Sequence, residues 1–136
     1  MMKFRYLETS DYPMLCKWWS DNRFPIPPQE FLPRNGTDGI LITKDGVPLC
    51  AGFIYETSSP VLAWIEYIVA NFDVKDKVLR KESQNFLIET LIEICRQMGK
   101  KYIYTNVKHE SLINTLRNCG FIVDNGRSTT EMIKII

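Results

Sequence analysis

AWIEYIVANFDVKDKVLRKESQNFLIETLIEICRQMGKKYIYTNVKHESLINTLRNCGF, residues 63–121, decides the fold because it predicts strand, helix, strand and helix in succession. Residues 61–70 are apolar and rich in β-branched side chains, which predicts a central strand. Apolar residues then recur at three- and four-residue intervals and predict a long helix, which Gly99 ends. Residues 101–105 predict a short strand, and residues 110–119 predict a final helix.

The flanking segments complete this order. Upstream, the patterns predict a strand at residues 3–7 and a helix at 11–19. A short helix at residues 28–31 would follow, with Pro28 as its first residue. Residues 39–43 and 48–55 predict a hairpin around Asp45-Gly46. Downstream, residues 121–123 and 129–135 predict an antiparallel pair joined by a turn at Asp124-Asn125-Gly126. The elements together predict an α/β (α+β) fold, a mixed and mostly antiparallel twisted sheet with helices on both faces.

Length and charge narrow the class of protein. The 136 residues are 45% apolar, which fits one domain spanning residues 1–136. The 17 basic and 16 acidic residues nearly balance, so we expect neither nucleic acid nor membrane as a partner. The four cysteines are widely spaced without a C-x-x-C pair, and we expect reduced core thiols and no metal site. Without an apolar leader, the expected location is the cytoplasm.

Two local features, together with the order of elements, resemble the GNAT superfamily of N-acetyltransferases. RQMGKKYIYT (residues 96–105) is similar to the end of that family's central helix, its glycine stop and its fifth strand. SLINTLRNCGF (residues 111–121) is similar to the family's late helix, which ends in Gly-Phe. The resemblance implies a GNAT-like acyl-CoA N-acyltransferase fold. The early Trp-Trp and proline features are similar to phage and bacterial members.

The resemblance also implies where acetyl-CoA, the co-substrate, would lie. In the family, acyl-CoA binds where the fourth and fifth strands diverge, and the backbone of the fourth strand pairs with the pantetheine. The corresponding positions here are Ile68, Val69 and Ala70.

The family's pyrophosphate binds a glycine-rich turn that opens the central helix. Counting back from Gly99, that turn falls on residues 79–84 (LRKESQ), which contain no glycine. One interpretation is that Arg80 and Lys81 bind phosphate by side chain, with Ser83 of the same turn among the cofactor-binding residues. A second is that the CoA site has degenerated. The helix would begin as early as Asp76 if that residue is its N-cap, and no phosphate loop would then exist.

Two residues are the candidate catalytic groups. Glu66 is the only charge in a ten-residue apolar strand, and family members often place a general base on this strand. The alternative is a glutamate that points at solvent or pairs with a nearby lysine. His109, the single histidine, is an acid or base candidate near neutral pH or an ordinary neighbour of a helix N-cap. Leu116 stands where many family members carry a tyrosine that protonates the departing CoA thiolate. Tyr67, Tyr102 and Tyr104 are therefore candidates for that acid.

The segment after the first helix lies where the family builds its acceptor wall. Trp18 and Trp19 are adjacent, so we expect one of them to be partly exposed, and with residues 25–28 they suggest a surface for a protein partner. The alternative is that both pack in the core. A homodimer is a further expectation.

Two functions remain in contention at this point. The first is an acyl-CoA-dependent N-acetyltransferase, in which an unknown amine attacks the thioester directly and Glu66 or a water bound to it takes the proton. The second is a catalytically inactive GNAT-fold protein that acts as a binding or interaction module.

Overall fold

A five-stranded sheet forms the centre of the computed structural model, which describes residues 1–123 and 130–136. Its strands lie side by side in chain order: β1 (Met2–Tyr6), β2 (Ile40–Lys44), β3 (Val47–Glu56), β4 (Leu62–Ala70) and β5 (Tyr102–Tyr104). Neighbouring strands are antiparallel except β4 and β5, which pair in parallel. The prediction of a mixed, mostly antiparallel sheet is confirmed.

Helices cover both faces of the sheet, as the sequence predicts. α2 (Lys77–Gln97) and α3 (Glu110–Asn118) pack on one face, here called the α2 face, over buried residues such as Ile42 and Ile65. α1 (Tyr12–Asp21) packs on the opposite face, the α1 face, over Phe53 and Val69. The short helix expected at residues 28–31 is a 3-10 turn, Gln29–Phe31, which Pro28 precedes; two further turns are Thr9–Asp11 and Pro33–Gly36.

The start of α2 settles one alternative left open by the sequence. Asp76 is the N-cap residue, and its carboxylate accepts hydrogen bonds from the backbone N–H groups of Val78 and Leu79 at 3.0 and 3.2 Å. Residues 79–84 therefore lie inside the helix. The prediction that they form a phosphate-binding turn is wrong, because the helix begins at Lys77, earlier than counting back from Gly99 placed it.

β4 contains a bulge near its middle. Two of its residues, Tyr67 and Ile68, lie opposite the single residue Gly52 of β3. Tyr67 adopts a left-handed backbone with φ of 56°. A bulky residue is uncommon in this region, so the surrounding sheet must hold the strained backbone in place.

The bulge reverses the alternation of side chains along β4. Glu66 and Tyr67 both lie on the α1 face, while Ile68 packs in the α2-face core. Strict alternation along residues 61–70 predicts that Ile68 shares a face with Trp64 and Glu66, and this is wrong because the extra residue shifts every later side chain to the other side.

Both adjacent tryptophans are buried. Trp18 is 3% exposed and Trp19 is 2% exposed, so the predicted partner surface does not include them. The chain after α1 folds back over the helix and covers the side that the sheet does not. In this segment, the hydroxyl of Tyr12 donates to the carbonyl of Pro27 at 2.7 Å. The rest of the predicted surface at residues 25–28 is reduced to the exposed Pro25, Ile26 and Pro28.

The predicted C-terminal strand pair is wrong for the part of it that the structure describes. Residues 121–123 and 130–135 contain no strand, and the predicted turn at Asp124-Asn125-Gly126 and Thr129 lie outside the described residues. Among residues 1–123 and 130–136, no helix combines the length and apolarity that crossing a membrane requires.

Candidate active site

The parallel strands β4 and β5 diverge after only three residue pairs. The last pair is Trp64 with Tyr104, whereas β4 continues to Ala70. Thr105 marks the point of divergence, because its hydroxyl donates to the carbonyl of Ile65 at 2.8 Å. Within residues 1–123 and 130–136, no strand pairs with the outer edge of the remaining half of β4, which leaves that edge for another partner.

Glu66 lies directly after this point of divergence and is half-buried. Its carboxylate accepts a hydrogen bond from the indole N–H of Trp64 at 3.0 Å. Burial raises the pKa of Glu66, and the charge of Glu131 acts in the same direction, while the bond from Trp64 opposes them. The group is thus a carboxylate with increased basicity, and its hydrogen bond with Trp64 helps to fix its orientation.

Aromatic rings surround this carboxylate on the α1 face. The ring of Tyr67 lies 6.1 Å from that of Trp19 and 6.3 Å from that of Tyr55, measured between centroids. The Tyr55 hydroxyl donates to the carbonyl of Phe31 at 2.7 Å, which ties the 3-10 turn to the sheet. Burial, followed by the charge of Glu66, raises the pKa of the Tyr67 phenol, so that group stays protonated at neutral pH.

The ring of His109 contacts Phe24 rather than Glu66. It is exposed and precedes α3 as the N-cap residue, without a side-chain capping bond. Its ring packs edge-on against Phe24, with 5.0 Å between the centroids. This contact joins the segment after α1 to the segment before α3, which favours a packing role for the histidine.

A cleft of about 360 Å³ lies between the first turns of α2 and α3, at the end of β4. Arg80, Lys81 and Ala70, three of the predicted cofactor-binding residues, line it together. Lys77 adds a third cation, and no acidic side chain is among the described residues that line the cleft. The cleft is therefore suited to an anion.

The other predicted cofactor residues do not present side chains to this cleft. Ser83 is 2% exposed, and its hydroxyl donates to the carbonyl of Arg80 at 3.0 Å. Val69 is buried in the α1-face core, and Ile68 packs on the α2-face core. Only the backbone of β4 can serve a ligand at these two positions. The carbonyl of Ala70 already accepts a hydrogen bond from the Asn22 side chain at 3.0 Å.

Residues of α3 and the middle of α2 complete the cleft, and sequence reasoning missed them. They are Gln84, Ser111, Asn114, Thr115 and Asn118. The Thr115 hydroxyl lies 2.9 Å from the side-chain oxygen of Gln84 and holds the two helices together. The polar face of α3 was the only signal in the sequence.

Asp76 occupies the group of backbone donors that an anion would otherwise use at the start of α2. Its carboxylate satisfies two of the N–H groups that have no partner inside the helix. A phosphate in the neighbouring cleft therefore cannot use these two N–H groups, whereas the cationic side chains of the cleft can bind it.

The Asp76→Ala variant is expected to lower the free energy of unfolding by about 1 kcal/mol, because it leaves the first turn of α2 uncapped. Chemical denaturation measures this loss. Asp76→Ser is the matched control, since serine caps helices well, and it should keep most of the stability. Equal stability of all three proteins would contradict the capping role.

Comparisons with known proteins agree with this geometry at the level of the fold. No family model matches the chain, and no curated protein matches it. Among solved structures, a Trypanosoma brucei acetyltransferase superposes with a TM-score of 0.68 at 18% identity, covering 97% of this chain and 100% of that one. Salmonella typhimurium yncA with its cofactor acetyl-CoA gives 0.68 at 13% identity, covering 93% and 87%. Arabidopsis thaliana glucosamine-6-phosphate N-acetyltransferase gives 0.62 at 18%, covering 99% and 98%.

Proposed function

Because the chain has the GNAT acetyltransferase fold, we propose that it binds acyl-CoA and transfers the acyl group to an amine. The observation that carries the proposal is the position of Glu66. It is a half-buried carboxylate of raised pKa, located where β4 and β5 diverge. In the family, this is where the thioester lies.

In the proposed reaction, the amine nitrogen attacks the thioester carbonyl carbon. Glu66, directly or through a water molecule, accepts the proton that the nitrogen loses. Backbone N–H groups near residues 68–70 polarise the carbonyl oxygen. The carbon–sulfur bond then breaks, and the CoA thiolate leaves and takes a proton. Tyr67 is the proposed donor of that proton because it stays protonated and shares the α1 face with Glu66.

Donor binding is assigned to the cleft between α2 and α3. Arg80 and Lys81 bind the phosphates through their side chains, assisted by Lys77. The absence of glycine from residues 53–98 excludes the family's usual flexible turn, and Asp76 occupies the helix N-terminus instead. His109 has no assigned step, and its contact with Phe24 supports a role in packing.

The second candidate function is an inactive GNAT-fold protein that serves as a binding module. The observation that favours it is the Asp76 carboxylate, which occupies the backbone donors of α2. A chain that had lost its donor site would retain the fold and the cap without needing the cations of the cleft.

Acetyl-CoA is expected to raise the melting temperature if the first proposal is correct. At a concentration about one hundred times its Kd, a ligand of the native state adds about 2.7 kcal/mol to the free energy of unfolding. In a domain of this size, that corresponds to a shift of several degrees. Differential scanning fluorimetry measures the shift, and S-acetylpantetheine, which lacks phosphates, is the comparison ligand. If millimolar acetyl-CoA causes no shift, the second candidate is favoured.

A further inference from the structure

A strip of aromatic rings continues from Glu66 toward β5, the last strand of the described sheet. The indole of Trp64 donates to Glu66 and stacks on the ring of Tyr104, with centroids 5.3 Å apart and planes 18° from parallel. Tyr104 is 58% exposed, and Tyr102, two residues earlier on the same face of β5, is 65% exposed. Trp64 therefore links a half-buried carboxylate to a ring that solvent can reach. We call Trp64, Tyr102 and Tyr104 the aromatic strip.

Two carboxylates lie at the Glu66 end of this strip. Glu66 is joined by Glu131, whose charge is close enough to raise the pKa values of Glu66 and Tyr67. Lys100 lies nearby in sequence, but its side chain is only 4% exposed. Its ammonium donates to the carbonyl of Ser59 at 2.8 Å and faces Glu56 at 3.8 Å, so its charge is already used.

Such a site attracts cations and repels anions. The face of an aromatic ring attracts an ammonium group, and the two carboxylates add to that attraction. The nitrogen that reacts must give up its proton to Glu66 and is uncharged when it attacks. The charge that the strip favours must therefore belong to a second group of the same molecule.

We propose that the acceptor is a di- or polycationic amine. One amino group reacts beside Glu66, while a second ammonium group lies against Tyr104 of the aromatic strip. This inference rests on the proposed acetyl transfer and specifies its substrate class. It disfavours amines that carry a phosphate or carboxylate, because those groups would meet ring faces and carboxylates.

Three amines with the same four-carbon chain test the proposal. 1,4-Diaminobutane carries a second cation, butylamine carries none, and 4-aminobutanoate carries an anion. With acetyl-CoA as donor, kcat/KM is expected to be about two- to fivefold higher for diaminobutane than for butylamine, and lowest for 4-aminobutanoate. Tyr104→Leu keeps the apolar bulk but removes the ring, and should bring the ratio between the first two amines close to one.

The control is Phe4→Leu, the same kind of change at an exposed ring of β1 on the α2 face. It should leave the preference unchanged. The proposal is overturned if 4-aminobutanoate is used as well as diaminobutane, or if Tyr104→Leu keeps the wild-type ratio.

Direct binding separates this inference from the proposed function. Trp18 and Trp19 are buried and Trp64 is partly exposed, so a change in tryptophan fluorescence that Trp64→Phe abolishes reports on the strip. Diaminobutane should produce a saturable change, and 4-aminobutanoate should not. If diaminobutane binds but no amine is acetylated, the transferase proposal fails and the cation site stands. If acetylation occurs without this preference, the reverse holds.

Discussion

Replacing Glu66 with glutamine is expected to lower kcat for acetyl transfer by about one hundredfold or more, the usual contribution of a positioned general base. Glutamine has the same shape and still offers an oxygen to the Trp64 indole, so the site should keep its geometry. Acetyl-CoA affinity should stay unchanged because the cations of the cleft between α2 and α3, here called the donor cleft, are not altered. Steady-state kinetics and the acetyl-CoA melting shift measure the two quantities separately.

The pH profile provides a second measurement on the same variant. Burial raises the pKa of Glu66 above the ordinary value of 4.5, so the acid limb of the wild-type kcat/KM profile should lie above that pH. The variant should lose this limb. Glu30→Gln makes the same chemical change at an exposed residue of the Gln29–Phe31 turn and should behave like the wild type. An equal rate for Glu66→Gln and the wild type would remove Glu66 from the mechanism.

Glu66→Gln should lower activity without lowering the stability of the fold at pH 7. A carboxyl whose pKa is raised in the folded state stabilises the fold at low pH, and this contribution is lost as the pH rises through the folded-state pKa. At pH 7 the ionised Glu66 therefore lowers the free energy of unfolding, and the neutral glutamine does not. We expect the variant to melt at or above the wild-type temperature at pH 7, with the difference narrowing toward pH 4. A variant that melts well below the wild type at pH 7 would indicate a structural role.

The sequence identifies Glu66 as a candidate residue, but it does not reveal which side chains share its face of the sheet. A lone charge in an apolar strand is visible in the pattern of residues 61–70. The bulge at Tyr67 is not, because it needs a left-handed tyrosine, which side-chain alternation cannot reveal. As a result, strict alternation predicts the wrong face for Tyr67, the phenol that shares the α1 face with Glu66.

The donor cleft was predictable only in part, for a related reason. Arg80 and Lys81 stood out as cations near a helix start, where the dipole disfavours them. Their turn of helix was misplaced because Asp76 caps α2 earlier than the family's usual helix length implies. The opposite wall depends on the contact between Gln84 and Thr115, which are 31 residues apart, and no local pattern predicts such a pairing.

The variant in which both Arg80 and Lys81 are replaced by glutamine is expected to weaken acetyl-CoA binding by at least tenfold. Hydrogen bonds to charged groups contribute about 1.5–3 kcal/mol each, and Asp76 prevents the helix N-terminus from compensating for their loss. KM for acetyl-CoA should rise, while kcat changes little because Glu66 is intact. Isothermal titration calorimetry of acetyl-CoA measures the affinity directly.

Two comparisons make this result specific to the phosphates. S-acetylpantetheine should react equally well with the double variant and the wild type, since it has no group for either cation to bind. Arg96→Gln makes the same change near the far end of α2, where Arg96 forms an exposed pair with Glu93, and should leave affinity unchanged. The ligand-free double variant should melt close to the wild type, because glutamine has nearly the same helix propensity as arginine and lysine. Unchanged acetyl-CoA affinity would instead mean that the cations are a solvated charge cluster and that the cleft does not hold the donor.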